Sequence, residues 1–279
     1  MENKVYTVAS LFCGAGGLDM GFEMTGRFKT IWANDINKDA TETMKLWCRD
    51  ATIKCGDISK MSKLTIPKAD VMLGGFPCQP FSLAGKMDIN DPRTKLYKEY
   101  VRVLSSIQPY CFIGENVQGL LVMENGAVID KIAKDFSNVG YNIHYDLVDA
   151  VDYGVAQNRK RLIIVGFRKD LVGVKFPLPE KCEHKTMYDV IYGLPEPSED
   201  EVHTGGFSPR YLTRNRVRGW NEPSFTIVAG GRNTPLHPSS CPMVKIGHEK
   251  WGLGVGGKSR RLSYKECAYC RVFQKICIL

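Results

Sequence analysis

A chain of 279 residues is long enough for one large domain with a smaller companion, and its 43% hydrophobic and 24% charged residues are ordinary for a soluble globular protein. The longest apolar runs, such as RLIIVGF at 161–167, are far too short to cross a bilayer, and the start MENKVYTVASLF has neither the basic segment nor the cleavage site of a secretory leader, so a cytoplasmic protein is expected. The net charge of +8 is lopsided: residues 1–150 hold 17 Lys and Arg against 18 Asp and Glu, whereas residues 151–279 hold 21 against 12, which predicts a polyanionic partner for the second half.

The first half alternates short apolar runs with helical patterns. YTVASLF (6–12) reads as a strand and GGLDMGFEMTG (16–26) as a Gly-rich turn opening a helix that stops at Gly26. KTIWAND (29–35) predicts a second strand, KDATETMKLWCRD (38–50) a helix, and ADVMLGGFP (69–77) a strand that runs into a bend. A helix over 95–108, a strand over 110–117, a helix over 125–140 and strands over 141–150 and 161–168 follow. Strands alternating with helices predict a three-layer α/β domain on a mostly parallel, Rossmann-like sheet, with ligands at the carboxyl ends of the strands. From about residue 171 Gly and Pro become dense, as in VAGGRNTPLHPSSCP, and a smaller irregular domain is predicted over 171–258. Within it RYLTRNRVRGW sets Arg210, Arg214, Arg216 and Arg218 together with no acid among them, the densest basic cluster in the chain.

The ten cysteines are scattered, and in a chain without a secretory signal most are expected to be reduced. CAYC at 267–270 has the spacing of half a zinc site, but only Cys277 follows it, and no metal is expected.

The unusual residues fall at predicted strand ends. LFCGAGGLDMGF places Gly14, Gly16 and Gly17 between a strand and a helix, where backbone can approach a ligand closely. Asp35 ends the next strand, where a carboxylate commonly accepts ribose hydroxyls, and Asp57 in CGDI is placed to take an adenine amino group. With no Walker-type phosphate loop, these describe a nucleoside pocket, and S-adenosylmethionine is the common cofactor of that kind. In GGFPCQPFS, prolines 77 and 80 bracket Cys78, which is either a nucleophile on a rigid elbow or a small buried hydrophobe in a tight loop. Glu115 and Asn116 end the next strand: the carboxyl is a candidate acid, and the amide either meets substrate or braces the neighbouring loop. Gln157, Arg159 and Arg161 alternate along QNRKR and would share one face of a strand start.

Taken in order, FCGAGG, NDI, GDI, GGFPCQPFS, GENV and QNRKR resemble the motifs of the DNA (cytosine-5)-methyltransferases, over residues 5 to about 270. The resemblance implies that 1–170 is the catalytic domain, 171–258 the target-recognition domain, and 259–279 the start of a return to the catalytic domain. It implies S-adenosylmethionine as cofactor, bound by Phe12, Ala15, Gly17, Asp35 (where the family usually has Glu), Ile36, Asp57, Ile58, Gly75, Pro77 and Leu96. Cys78 would attack C6 of a cytosine flipped out of duplex DNA, Glu115 would pair with ring N3, Arg161 would hold O2, Arg159 would steady the cysteine loop, and the Phe76 carbonyl would read the exocyclic amine. Gln79, Ser82, Asn116, Gln157, Thr226 of the family's Thr-aliphatic doublet, and Arg232 as a guanine reader complete the implied substrate contacts, with SLAGKMDINDPR (82–93) as a loop closing over DNA. NEPSFTIVAGGRNTPLHP resembles the subfamily whose companion nucleases cut GGCC, so GGCC is the expected site; a monomer without direct contact to a companion nuclease is also expected. The family's later Phe-Pro segment, G-N-x-V-P motif and final helix find no match after Arg260–Arg261, so a chain of these 279 residues is expected to bind cofactor poorly unless a second chain supplies the piece. A tRNA cytosine methyltransferase of the same pattern and a DNA-binding remnant with little activity are the alternative readings.

Overall fold

The computed structural model describes residues 4–77, 96–176, 179–254 and 256–272. The chain forms two compact units, residues 1–148 with 161–177, and residues 149–160 with 178–279. No helix among the described residues is long and apolar enough to cross a membrane.

The first unit is built on a seven-stranded sheet: β1 (Tyr6–Leu11), β2 (Phe28–Asp35), β3 (Thr52–Cys55), β4 (Val71–Gly74), β5 (Cys111–Val117), β6 (Tyr141–Asp149) and β7 (Lys160–Arg168), in the order 3-2-1-4-5-7-6. β1 pairs in parallel with β2 and β4, and β4 with β5, whereas β7 runs antiparallel to β5. The order reverses between β1 and β4, so the ends of those two strands form the switch point where open α/β sheets take ligands. The helices are α1 (Gly17–Glu23), α2 (Lys38–Trp47), α3 (Leu96–Ile107), α4 (Gly119–Val122) and α5 (Ala127–Asn138).

Each helix buries the face its sequence dictates. Tyr97, Tyr100, Val103, Leu104 and Ile107 recur at three- and four-residue spacing along α3 and are all buried, and Ile129, Ile132 and Phe136 do the same along α5. α2 starts where the Asn37 side chain accepts the Ala40 N–H at 2.9 Å. An aromatic core of Phe76, Tyr100, Phe112, Phe136 and Tyr141 lies between sheet and helices, with ring centroids 4.6–6.4 Å apart. Phe76 belongs to the bend after β4, so its edge-on contact with Tyr100 at 5.7 Å, a geometry contributing about 0.5–1.5 kcal/mol beyond area burial, ties that bend to the core.

The second unit carries little regular structure: α6 (Met187–Ile191), the ribbon β8 (Val244–Gly247) with β9 (Lys250–Gly252), and α7 (Tyr264–Cys270). Both helices open on reciprocal capping boxes, Thr186 with Asp189 and Ser263 with Glu266. α7 packs on α6 through Met187, Ile191, Leu262 and Cys270 with Ile227. A second cluster centres on Tyr211, Leu236 and Met243. Two guanidiniums lie over the Tyr211 ring, Arg216 at 4.6 Å and Arg261 at 5.1 Å from its centroid.

Candidate active site

At the end of β1 the chain turns sharply, with Phe12, Gly14 and Gly16 all at positive φ. Gly16 admits no side chain. At φ +80° a Cβ would be strained, and it would run into the Trp47 ring and lie 3.0 Å from Met44 Cγ. Trp47 donates its indole N–H to the Ala15 carbonyl at 3.0 Å, so α2 holds the turn from outside. Asp35, at the end of β2, holds it from the other side: Oδ2 accepts the Gly14 N–H and Oδ1 the Asn37 N–H, each at 2.8 Å. A carboxylate oxygen can accept more than one hydrogen bond, so the group expected to take ribose hydroxyls also shapes the loop that would face the ligand.

Ala15 and Gly17 are exposed, and so is Ile36, the residue after Asp35, at 72%. An exposed isoleucine beside a carboxylate at the carboxyl end of a parallel sheet suits an adenosine, whose base is flat and whose sugar donates hydroxyls. Asp57 accepts both the N–H and the hydroxyl of Ser59, at 2.9 and 2.8 Å, and these bonds hold its carboxyl below the usual range. Ile58 and Phe12 pack on the core, Ile58 at 2% exposure, and Leu96 is half-buried at the first turn of α3.

Sequence reasoning passed over Asp19. It is fully buried in the first turn of α1, where Oδ2 accepts the Ser10 hydroxyl at 3.0 Å and Oδ1 the Thr30 hydroxyl at 3.4 Å. It thus ties α1 to β1 and β2 together. Burial, outweighing those hydrogen bonds, pushes its carboxyl up to about 6. The Cys13 thiol in the same turn is also pushed up, first by burial and then by Asp19 and Asp35. The signal available was an acid three residues into a Gly-capped helix, which is an ordinary surface pattern.

After β4 the bend is clamped from β5. Asn116, 2% exposed, donates from Nδ2 to the Phe76 carbonyl at 3.2 Å and accepts the Val117 N–H at 2.8 Å. Of the two roles open to Asn116, bracing the loop is the one its contacts display, and the carbonyl expected to read a base is already one acceptor deep. Gly75 lies against Glu115, where an added Cβ would stand 3.3 Å from Oε2. Gly75 and Pro77 are half-buried. Cys78, Gln79, Ser82 and the rest of the expected closing loop lie outside the described residues.

Glu115 and Arg161 meet. In the antiparallel pairing of β5 with β7, Val117 stands opposite Arg161, so Glu115 is Arg161's diagonal neighbour on one face. Arg161 Nε reaches Glu115 Oε1 at 2.7 Å, and both side chains are partly open to solvent, at 20% and 31%. A guanidinium donates to a ring carbonyl, and a carboxyl beside it, once protonated, donates to the neighbouring ring nitrogen, so the pair suits the edge of a pyrimidine that carries both.

In the second unit, residues 156–158 pair with 224–227. Ser224 N–H donates to Ala156 and Asn158 N–H to Ser224, both at 2.9 Å. Gln157 is buried and accepts the Ile227 N–H at 2.8 Å, while the Thr226 hydroxyl donates to the Asn158 carbonyl at 2.7 Å. The QNRKR run and the Thr-aliphatic doublet are thus brought together, with Gln157 and Thr226 spending these groups on each other's segments. Arg159 donates its backbone N–H to Asp149 Oδ1 at 2.7 Å. Arg232 is exposed on the turn Gly231–Asn233. Among the described residues no group of three or more His, Cys, Asp or Glu could hold a metal ion.

Known proteins resemble this chain over most of its length. A type II methyltransferase of Fusobacterium nucleatum, M.FnuDI, is 42% identical over 95% of this chain and 83% of its own length. M.BsuRI of Bacillus subtilis is 39% identical over 95% and 69%, and M.MthTI of Methanothermobacter thermautotrophicus 39% over 95% and 86%. Among solved structures, the Entamoeba histolytica methyltransferase EhMeth superposes with a TM-score of 0.68 over 96% of this chain and 86% of its own; at 18% identity this concerns the fold. The C-5 cytosine-specific DNA methylase model matches residues 6–275, and the chain belongs to that family of DNA cytosine-5 methyltransferases.

Proposed function

We propose that the protein transfers a methyl group from S-adenosylmethionine to C5 of a cytosine flipped out of duplex DNA, within GGCC, as the modifying partner of a restriction nuclease. The observation that carries the reading is the Glu115–Arg161 pair at 2.7 Å on the neighbouring strands β5 and β7, with Glu115 beside Gly75 in the bend that leads toward Cys78. C5 of cytosine is not nucleophilic until a nucleophile adds at C6 and N3 is protonated or polarised. Cys78 forms the bond to C6, Glu115 supplies hydrogen-bond or proton donation at N3, and Arg161 holds O2. After C5 has bonded to the methyl group it loses its proton to a base, and the C6–sulfur bond breaks to return the thiolate. Phe12, Ala15, Gly17, Asp35, Ile36, Asp57, Gly75, Pro77 and Leu96 would hold the cofactor, with Ile58 packed in the core beneath them, and its sulfonium would supply an electrophilic methyl group and leave as the neutral thioether.

Asn116 fixes the backbone at Phe76, two residues before Cys78 in the sequence, and backbone held in advance is an advantage because extrusion of the base itself costs a few kcal/mol. The second unit is the recognition part. Arg210 and Arg214, both exposed, and the half-buried Arg218 meet phosphates, whereas Arg216, expected with them from the sequence, is buried against the Tyr211 ring; Arg232, exposed and with no partner among the described residues, reads a guanine through O6 and N7. The family description and the names of the type II relatives support a DNA substrate; the tRNA alternative has no observation in its favour. Incubation with labelled S-adenosylmethionine and plasmid DNA, followed by bisulfite sequencing, tests the proposal. Label in 5-methylcytosine at the inner cytosine of GGCC supports it, and methylation confined to another sequence, or to RNA, refutes it. Arg232→Ala should lower discrimination between GGCC and single-substituted sites by about 1–3 kcal/mol.

A further inference from the structure

Asn158 lies inside the QNRKR run, one residue before Arg159, and three contacts from a single stretch of the second unit converge on it. Its N–H donates to the Ser224 carbonyl at 2.9 Å, its carbonyl accepts the Thr226 hydroxyl at 2.7 Å, and its side-chain Oδ1 accepts Arg218 Nη1 at 3.0 Å. Arg218 closes the basic run that starts at Arg210. Its guanidinium lies 4.3 Å over the Phe225 ring and 3.7 Å from Glu222, so it is held in place before any ligand arrives. On the far side of Asn158, the Arg159 N–H donates to Asp149 Oδ1 at 2.7 Å and its carbonyl accepts the Ala150 N–H at 3.0 Å. The backbone that carries Arg159 is therefore fixed from two directions, and one of them is built from residues 218–226. A backbone so pinned has no independent freedom, so a shift of Arg218 is felt at the next peptide.

We propose that Asn158 is a positioning residue that couples the arginine run's hold on DNA to the placement of Arg159, so that a correctly gripped site is also the one at which methyl transfer is fast. This rests on the functional reading above, in which arginines of that run meet phosphates, and on the part that the family resemblance implies for Arg159 in steadying the cysteine loop. The side-chain oxygen of Asn158 is the link, because it accepts directly from Arg218 within the QNRKR run. Binding energy collected at phosphates, which carries no sequence information by itself, is in this way spent on holding the backbone that carries Arg159.

The test is a KM-against-kcat separation on duplex DNA with the full chain. Asn158→Ala should lower kcat about tenfold, as a small misplacement of a reacting group does, while the DNA Kd changes less than about twofold. Asn158→Asp keeps an oxygen facing Arg218 and should return kcat to within about threefold of the parent, a rescue that a mere loss of packing would not show. In an Arg218→Ala background, Asn158→Ala should cost little further kcat, since the contact is already gone. Should Asn158→Ala fail to fold, Arg218→Lys, which loses the guanidinium contact to Asn158 but keeps the charge, should show the same kcat-weighted loss. Parental kcat in Asn158→Ala, equal losses in kcat and DNA affinity, or no rescue by Asn158→Asp would overturn the inference. A parent protein that methylates no DNA would overturn the functional reading and this inference together, whereas an active parent with an unaffected Asn158→Ala variant sinks this one alone.

Discussion

Asp19→Asn isolates the electrostatic cost of the buried acid under the glycine turn. The folded protein holds this carboxyl at about 6, against an ordinary value of 3.8, because burial disfavours the ionised form more than the Ser10 and Thr30 hydroxyls favour it. A carboxyl pKa raised by folding means that the native state binds the proton more tightly than the unfolded chain does. Stability from this group is therefore fully present below pH 3.8, declines as pH rises toward 6, and is absent above that. Linkage between those two values gives a cost of about 1.6 kcal/mol at pH 5 and about 3 kcal/mol at pH 7.5. Asparagine has the shape of the protonated acid, still accepts from Ser10, and does not titrate. Urea denaturation should then show Asp19→Asn more stable than the parent at pH 7.5, with an advantage about 1.4 kcal/mol larger than at pH 5. An advantage that is absent, or that does not change between the two pH values, would refute the assignment of a strained buried carboxylate.

Two further substitutions probe the site. Gly16→Ala forces a Cβ into Trp47 at a positive φ, so a loss of about 2–4 kcal/mol in stability is expected, with weaker S-adenosylmethionine binding by calorimetry because the Trp47 bond to Ala15 opens. Glu115→Gln keeps the shape and a hydrogen bond to N3 but has no acid proton to give and loses the ion pair with Arg161, so kcat should fall about 10²–10⁴-fold with DNA affinity largely kept; parental turnover would remove Glu115 from the mechanism.

Much of the first unit could be read from periodicity. The strands at 6, 29, 69, 110, 141 and 161 and the helices between them carry long or strongly patterned segments, and the structure has them within a few residues. β3 was not legible, since TIKC is a four-residue edge strand with mostly exposed side chains and no alternation. α1 ends at Glu23 and the chain leaves it through a turn over 24–26, with Gly26 at positive φ donating to the Glu23 carbonyl at 2.9 Å, so the glycine marks the stop. The antiparallel direction of β7 depends on a connection of only ten residues from β6, too short for a crossover helix, and direction is not written in the strand itself. α6 escaped notice because five residues give no helical period, although Thr186 and Asp189 form a capping box.

The site was legible in its residue types more than in its contacts. Asp35, Ile36, Glu115 and Arg161 lie at strand ends as their motifs suggested, but that Asp35 would hold Gly14, or Glu115 meet Arg161, depends on register. Gln157 and Thr226 are 69 positions apart, and nothing local says that they close on each other's segments. Asp19 and Asn158 look like surface polar residues in sequence; their roles come from partners 9 to 68 residues away.

Covalent trapping on duplex DNA carrying 5-fluorocytosine in place of the target cytosine, in the presence of S-adenosylmethionine, examines the chemistry most directly. Fluorine at C5 cannot leave as a proton, so a sulfur–C6 bond once made persists through denaturing electrophoresis. The parent chain should give a DNA-linked band that Cys78→Ser does not form. A band of equal strength from Cys78→Ser, or methyl transfer by Cys78→Ser at the parental rate on ordinary DNA, would contradict attack by that thiol.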